Sequence, residues 1–417
     1  MDLATASMES LTTRCCIVGG GPAGMVLGYL MARAGVDTVV LEKHADFLRD
    51  FRGDTVHPST LRIVDELGLL DEFLQLPHQK LRRLSGRFGD EQVGVADFSG
   101  LPKRYAFIAL MPQWDFLDFI AAHGAKLPRL TVRMGAQVDS LIEEGGRVVG
   151  VRGHAHDSDS GAFEVRAALT VGCDGRHSIV REAAGLPLDN IGAPIDVMWF
   201  RVPRDPAGLD DTLARITPGH LVITLDRGDY WQCAFVIEKG GAERLRSRGL
   251  EAFRAEVAQA APILAGHVGA IRSWDDVRLL AVSIDRLMRW SRAGLLCIGD
   301  AAHAMSPIGG VGINLAIQDA VATANALALK LRDATLDDDD LDSVRRRRLF
   351  PTRVTQMLQV QMQNNLLAPV ISGRNTGLEV PLPMRLLSAA PALQRVLARV
   401  IGMGVRPEHV RSPAAAP

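Results

Sequence analysis

"RCCIVGGGPAGMVLGYLMARAGVDTVVLEKH" (residues 14–44) reads as strand, tight turn, helix, turn and strand. Residues 15–18 form a continuous apolar run, the pattern of a strand buried on both faces. Gly19, Gly21 and Gly24 then make G-x-G-x-x-G, and a helix over 23–34, opening with Ala23, stops at Gly35. The next strand, "TVVLE", ends on Glu42, 18 positions after Gly24, with Lys43 beside it. Strand, glycine turn, helix and acid fall where dinucleotide binding needs them. The glycines allow close backbone approach, the helix N-terminus takes pyrophosphate, and the acid takes ribose hydroxyls. An acid at the ribose disfavours a 2′-phosphate, so the expected ligand is FAD or NAD rather than NADP.

The rest of the composition narrows the class. At 417 residues and 47% apolar content, the chain suffices for two domains or one large composite. A net charge of −1 with interspersed signs argues against a nucleic-acid partner. Five cysteines without a CxxC pair read as buried thiols in a reduced, cytoplasmic protein, with neither disulfides nor a metal site. The acidic N-terminus and the interrupting "GGGPAG" do not fit a signal peptide, and no apolar run reaches the length of a membrane span. The expectation is a soluble chain. "DDDD" (337–340) reads as a linker acid patch and "RRRR" (345–348) as the solvated start of a helix.

The chain returns to the nucleotide twice. "LTVGCDGRHSIVREAAGL" (169–186) is a strand followed by Asp174-Gly175, with Ser178 and Arg181 opening a helix. "GLLCIGDAAHAMSPIGGVGINLAIQDA" (294–320) is again a strand, Gly299-Asp300, a glycine-rich loop and a helix. Together the three pieces closely resemble the flavoprotein monooxygenases of the para-hydroxybenzoate hydroxylase class, in order and spacing, over roughly residues 14 to 330. The resemblance implies an α/β fold: a Rossmann-like FAD-binding domain with an inserted β-sheet substrate domain and a helical C-terminal segment. It implies FAD as cofactor and NAD(P)H as a transient co-substrate without a nucleotide fold of its own. Oxygen then adds at flavin C4a, and one of its atoms passes to an apolar or aromatic small molecule.

The resemblance also assigns residues. Asp174, Gly175, Ser178 and Arg181 match a motif near the FAD pyrophosphate and the passing NAD(P)H. Asp300 matches the aspartate on the ribityl chain, Arg52 a flavin-contacting arginine and Gln113 a glutamine that contacts FAD. Pro307 matches a proline whose carbonyl lies over the reaction site. The loop after Asp300 is expected along the flavin ring. Gly309 and Gly310 make room for it, and Gly310 to Asn314, including Gly312 and Ile313, present backbone donors at a helix N-terminus to an anionic ring. No side-chain base is assigned; His303 reads as hydrogen-bonded within its loop.

Segment boundaries follow: FAD-binding domain 1–90, 111–190 and 286–335; substrate-domain strands 91–110; substrate-binding sheet 191–285; C-terminal helical region 336–417. In the sheet, alternation places Trp231, Cys233, Phe235 and Ile237 on one face, read as core. Tyr230, Gln232 and Ala234 lie on the other; Trp199, Tyr230 and Gln232 are the candidate substrate contacts. Residues 245–260 read as one helix, and the helix after 341 as interrupted near Pro351. The C-terminal piece reads as a cap over the cofactor domain or a subunit contact, so a homodimer stays open, and "RSPAAAP" reads as disordered. A flavin-dependent halogenase is disfavoured because "MWFRVP" (198–203) lacks that family's tryptophans. An FAD-dependent reductase or dehydrogenase without oxygen insertion is the alternative, and a silent FAD-bound scaffold conflicts with the intact ring loop.

Overall fold

A computed structural model describes residues 9–48, 55–156, 161–204, 214–372 and 379–415. Strand Glu9–Val18 pairs in parallel with Thr38–Leu41 on one side and Ala162–Gly172 on the other. Thr38–Leu41 pairs in parallel with Leu130–Arg133, and Ala162–Gly172 with Leu295–Cys297. Five strands from distant parts of the chain thus point the same way. Their C-terminal ends lie along one edge, where ligands bind in open parallel sheets. Cys15, Cys16 and Ile17 are fully buried, as the continuous apolar run requires. Helix α1 (Pro22–Arg33) covers one face with Met25, Leu27, Leu30 and Met31. All five cysteines are free and buried. Burial pushes the Cys15 thiol up to about 12, so it stays protonated and inert.

The second sheet has seven strands in the order Arg278–Leu280, Ile195–Pro203, Tyr230–Glu238, His220–Asp226, Ala214–Thr217, Arg83–Phe88 and Glu91–Asp97. It therefore begins at Arg83, inside the segment assigned by sequence to the first part of the cofactor domain. The reason is local. Arg83–Phe88 and Glu91–Asp97 form a tight hairpin with Gly89 at φ +54°, and its two strands cannot be divided between sheets. Ile108–Leu110, expected among the substrate strands, instead joins Thr55–Val56 and Gln79–Leu81 in a small separate sheet.

One face of the large sheet carries Phe200, Trp231, Cys233, Phe235 and Ile237 against Phe253 and Val257 of α2 (Leu250–Ala260), with Phe253 edge-on to both Phe200 and Phe235. The single helix expected over 245–260 is split at Gly249, whose φ of +90° ends the first helical piece. The opposite face carries Val197, Ala234 and Val236, with Trp199 and Ile223 at its margin, packed towards Ile308, Leu366, Leu367 and Val370.

Helix α3 (Val311–Arg332) follows the third glycine loop, and α4 (Asp338–Met362) lies against it. Asp337 and Asp340 form a reciprocal cap at the start of α4, so the acid run is a helix start rather than a linker; its charges complement the helix dipole. The arginine run is solvated only in part. Arg345 and Arg346 pair with Asp342, while Arg348 is fully buried between Asp319 and Glu408. Helix α4 also continues through Pro351. Buried bonds from Arg348 to Asp319 and from Thr352 Oγ1 to the Arg348 carbonyl hold the chain across the position where Pro351 supplies no N–H. Residues 411–415, read as disordered, are tied to α1: Ala415 N donates to the Arg33 carbonyl, and Arg33 to that of Ser412. Among the described residues no single helix is long and apolar enough to cross a membrane.

Replacing Arg348 with methionine removes the buried cation shared by the Asp319 and Glu408 carboxylates, leaving Asp319 with His303 and Gly299 N and Glu408 with Arg347. It is expected to lower unfolding free energy by about 3–5 kcal/mol, whereas Arg346→Ala, on the exposed side of the run, changes it by less than about 1 kcal/mol. Urea unfolding of both variants reads the difference.

Candidate active site

The first glycine loop divides its three glycines between two tasks. A Cβ on Gly19, at φ +103°, would stand 2.5 Å from the Cys173 carbonyl oxygen, and one on Gly24 1.9 Å from that of Gly19. These two are required by packing. Gly21 has φ −73°, which any residue adopts, and a Cβ there would meet nothing within 4 Å. It caps α1 without a side-chain bond, with no acid in the first turn, so the N–H groups of that turn face an open cradle. Glu42 lies beside it, buried, accepting from Gly20 N (2.8 Å) and His44 N (3.0 Å), with Lys43 exposed next to it. A pyrophosphate at the cradle and a ribose at Glu42 fit this arrangement. Ala23 and Gly299 pack together, joining the first loop to the third.

The second motif spends its side chains on itself. Asp174 accepts from Ser178 Oγ (2.5 Å) and Val180 N (3.1 Å), and Ser178 Oγ accepts from Arg181 N (2.9 Å). Burial pushes the Asp174 carboxyl above its ordinary range, and those bonds limit the rise. Gly175, at φ +85°, turns the chain. The Arg181 guanidinium donates to the carbonyls of Arg176 (2.6 Å) and Ala301 (3.2 Å), which ties the second motif to the third. Arg176, which the sequence reading passed over, does the same with charge: it meets Asp300 at 3.1 Å and the Met305 carbonyl at 3.2 Å.

The ring loop is built from inside. Pro307 precedes a short turn in which Gly309 (φ +76°) and Gly310 (φ +62°) adopt the left-handed conformation that favours glycine. A Cβ on Gly310 would lie 2.1 Å from Thr55 Oγ1, so the immediate reason for that glycine is the protein's own packing; at Gly309 the nearest atom is Val311 Cγ1 at 3.7 Å. Gly310 caps α3 without a side-chain bond or a first-turn acid, leaving the early N–H groups, those of Gly312 and Ile313 among them, as outward donors. Asn314 is buried and fully used. Its Nδ2 donates to the Thr55 and Gly310 carbonyls, and its Oδ1 accepts from His57 N and Thr60 Oγ1. His57 is itself buried, with Nδ1 at 3.0 Å from the Ile401 carbonyl.

What the sequence reading missed is the face of α4 that holds this loop. Arg348, Thr352, Gln356, Gln359 and Gln363 recur at helical spacing, and all are buried. Gln356 donates to the carbonyls of Asp285 (2.8 Å) and Ala304 (3.1 Å). Gln359 accepts from Ser306 N (3.1 Å) and donates to the carbonyls of Ser306 (3.0 Å) and Ile308 (3.1 Å); Gln363 bonds Ser306 Oγ. These side chains replace the sheet partners that the loop lacks. His303 Nε2 lies 2.6 Å from Asp319, beneath the same loop, so its partner is a carboxylate of α3 and not a group within its own loop as the sequence suggested. The signal in the sequence is a polar stripe at 348, 352, 356, 359 and 363.

The substrate candidates do not all meet. Trp199 lies opposite Ala234, and its indole N–H is buried without a partner among the described residues. Gln232 is buried and accepts from Arg227 Nε at 3.1 Å. Tyr230 pairs with Pro203 at the strand's end, four residues and about 13 Å from Ala234. Gln113 opens helix Gln113–Gly124, half-buried. Arg52 lies outside the described residues.

Gly21→Val fits the protein's own backbone and space, so it is expected to leave unfolding unchanged while reducing retained FAD by about tenfold or more; full retention would place the cofactor elsewhere. His57 gives a pH prediction. Burial pushes it from 6.5 down to about 4, with its backbone partners only partly offsetting this. Below pH 6.5 the unfolded chain takes up the proton first, so stability contributed by neutral His57 is present above 6.5 and falls as pH drops towards 4, by about 3 kcal/mol in all. His57→Asn, which can still donate to the Ile401 carbonyl, is expected to flatten that part of the stability–pH curve.

The FAD binding domain family model matches residues 12–358. Over 402 residues the chain is 34% identical to a 6-methylpretetramide 4-monooxygenase of Streptomyces rimosus, covering 96% of this chain and 94% of that one. It is 25% identical over 349 residues to a para-nitrophenol 4-monooxygenase of Pseudomonas sp. (strain WBC-3), covering 80% and 82% of the two chains. The solved structure of an anhydrotetracycline hydroxylase from Streptomyces rimosus shares the fold, with a TM-score of 0.72 at 24% identity over 94% of this chain and 76% of that one. With the glycine cradle open to a dinucleotide and the family match running from the first strand into α4, the chain belongs to the FAD binding domain family, as an FAD-dependent monooxygenase of the para-hydroxybenzoate hydroxylase class.

Proposed function

We propose that this monooxygenase hydroxylates a polycyclic phenolic substrate held between the inner face of the seven-stranded sheet and the ring loop. The observation that carries the reading is the apolar face of Ala234, Ile223 and Trp199 in one cluster with Ile308, beside an indole N–H with no partner among the described residues. An aromatic body fits the first feature and a hydroxyl or carbonyl oxygen the second. The similarity to the 6-methylpretetramide 4-monooxygenase of Streptomyces rimosus supports the same substrate class.

FAD, when bound, would supply the redox chemistry that passes electrons from NAD(P)H to O₂ and activates one oxygen atom of that O₂ for transfer. The chain's contribution is placement and electrostatics. Gly21 and the first turn of α1 would hold the pyrophosphate, Glu42 and Lys43 the adenosine ribose, and Asp300, steadied by Arg176, the ribityl chain. Pro307, Gly309 and Gly310 shape the surface for the ring, and the N–H groups of Gly312 and Ile313 favour negative charge there. Gln113 is the proposed further FAD contact, with the loop that Arg181 secures as the proposed approach for NAD(P)H. The substrate domain is 191–285 together with the hairpin from Arg83. Five buried thiols support the cytoplasm as the compartment.

Turnover of the FAD-loaded enzyme with NADH or NADPH under ¹⁸O₂, with hydroxylated anthraquinones or naphthacenes as substrates, tests the reading. The expected product gains one labelled oxygen atom. Nicotinamide oxidation without labelled product across that panel would contradict it.

A further inference from the structure

A cavity of about 270 Å³ lies at the end of α4, between the 191–194 loop and Val360, Gln363 and Asn364. Its position is defined by a π-helical turn, Gln363–Leu367, which continues α4. Such turns are uncommon and recur at functional sites. Gln363 is fully buried, and its amide is only half used. Nε2 bonds Ser306 Oγ, while Oε1 has no partner among the described residues. Turning the amide over does not remove the problem. Ser306 Oγ already accepts from Ile308 N at 3.3 Å and can donate its proton to a Gln363 oxygen, but the amide NH₂ is then unmatched. A buried polar group left in this state costs about 1–3 kcal/mol.

We infer that this cavity is a subsite for a hydroxyl-bearing ring of the substrate, with Gln363 as the residue that selects the hydroxyl. The inference rests on the aromatic-substrate reading above and deepens it. A hydroxyl donates to Oε1 or accepts from Nε2, so it matches Gln363 in either orientation. Ile191, Ala193, Pro194 and Val360 offer apolar surface to a ring, and no cation lines the cavity to favour a carboxylate. The volume is below that of a site enclosing a whole ligand, about 300–1,000 Å³, and suits one or two rings of a larger molecule. The 191–194 loop leads into the strand that carries Trp199, and Gln363 touches the residue before Pro307. The subsite therefore adjoins the ring loop through Gln363 and the substrate sheet through the 191–194 loop.

Calorimetric titration of the FAD-loaded enzyme with 2-naphthol and with 2-methylnaphthalene tests this, because the pair differs by hydroxyl against methyl. The wild-type enzyme is expected to bind 2-naphthol about tenfold more tightly. Gln363→Met is expected to bring the two within about twofold, with affinity for 2-methylnaphthalene unchanged. Val360→Phe, which leaves the Ser306 bond in place and fills the cavity, is expected to weaken both about tenfold, and it decides the matter should Gln363→Met fail to fold. A preference that persists in Gln363→Met, or affinities unmoved in Val360→Phe, would overturn the subsite. If wild type binds neither probe while larger phenols still become labelled from ¹⁸O₂, the subsite alone is wrong. If no aromatic is bound or labelled, the substrate reading falls and takes the subsite with it.

Discussion

A single buried carboxylate sets the geometry of the third glycine loop. Asp319, with no solvent exposure, accepts from Gly299 N (3.1 Å), lies 2.6 Å from His303 Nε2 and is met by Arg348 Nε at 2.8 Å. Burial by itself would raise its pKa, but His303 and Arg348 hold it below the ordinary carboxylate range. A charge at that depth persists only when it is paired and hydrogen-bonded. Because Asp319 belongs to α3 and those partners come from the loop and from α4, fixing the charge fixes all three. Arg348 also reaches Glu408, so the C-terminal segment is bound into the same arrangement.

The cofactor edge follows from parallel pairing and this anchor together. Pairing brings the ends of Glu9–Val18, Thr38–Leu41, Ala162–Gly172 and Leu295–Cys297 to one side, and side chains that might have faced a ligand are used to lock loop to loop. Arg181 and Arg176 bridge the second motif to the third, and Asn314 bridges α3 to the chain around Thr55 and His57. What remains facing outward is largely backbone: the first turns of α1 and α3 and the surface at Gly21 and Gly309. Such donors are preorganised by the fold and need little rearrangement when negative charge appears against them.

Motifs whose chemistry is local were legible in the sequence. Gly19 and Gly24 fall in the tight strand–turn–helix unit that their spacing predicted, and Glu42 follows its second strand. The packed aromatic face of Trp231, Cys233 and Phe235 was readable from period-two alternation. Long-range partners were not. Nothing near Gly310 in the sequence reveals that its Cβ position belongs to Thr55, and nothing near Arg348 reveals Asp319, so an interior arginine was read as solvated. Gln356, Gln359 and Gln363 went unremarked in a stretch read only as a helix interrupted near Pro351. Only the fold shows that this face is turned inward, where an extended loop needs donors and acceptors. The hairpin at Arg83 was misplaced for the same reason, since its strand pairs with Ala214–Thr217, well over a hundred residues away.

The central claim is that α4 holds the ring loop in the shape that binds the cofactor, and the FAD dissociation constant of Gln359→Leu measures it most directly. That change leaves Ser306 N and the carbonyls of Ser306 and Ile308 without their partners, while the glycine cradle and both sheets are untouched. The account predicts a folded protein whose FAD affinity is weaker by about tenfold or more. A folded Gln359→Leu protein that binds FAD as tightly as wild type would show that the loop keeps its shape without α4.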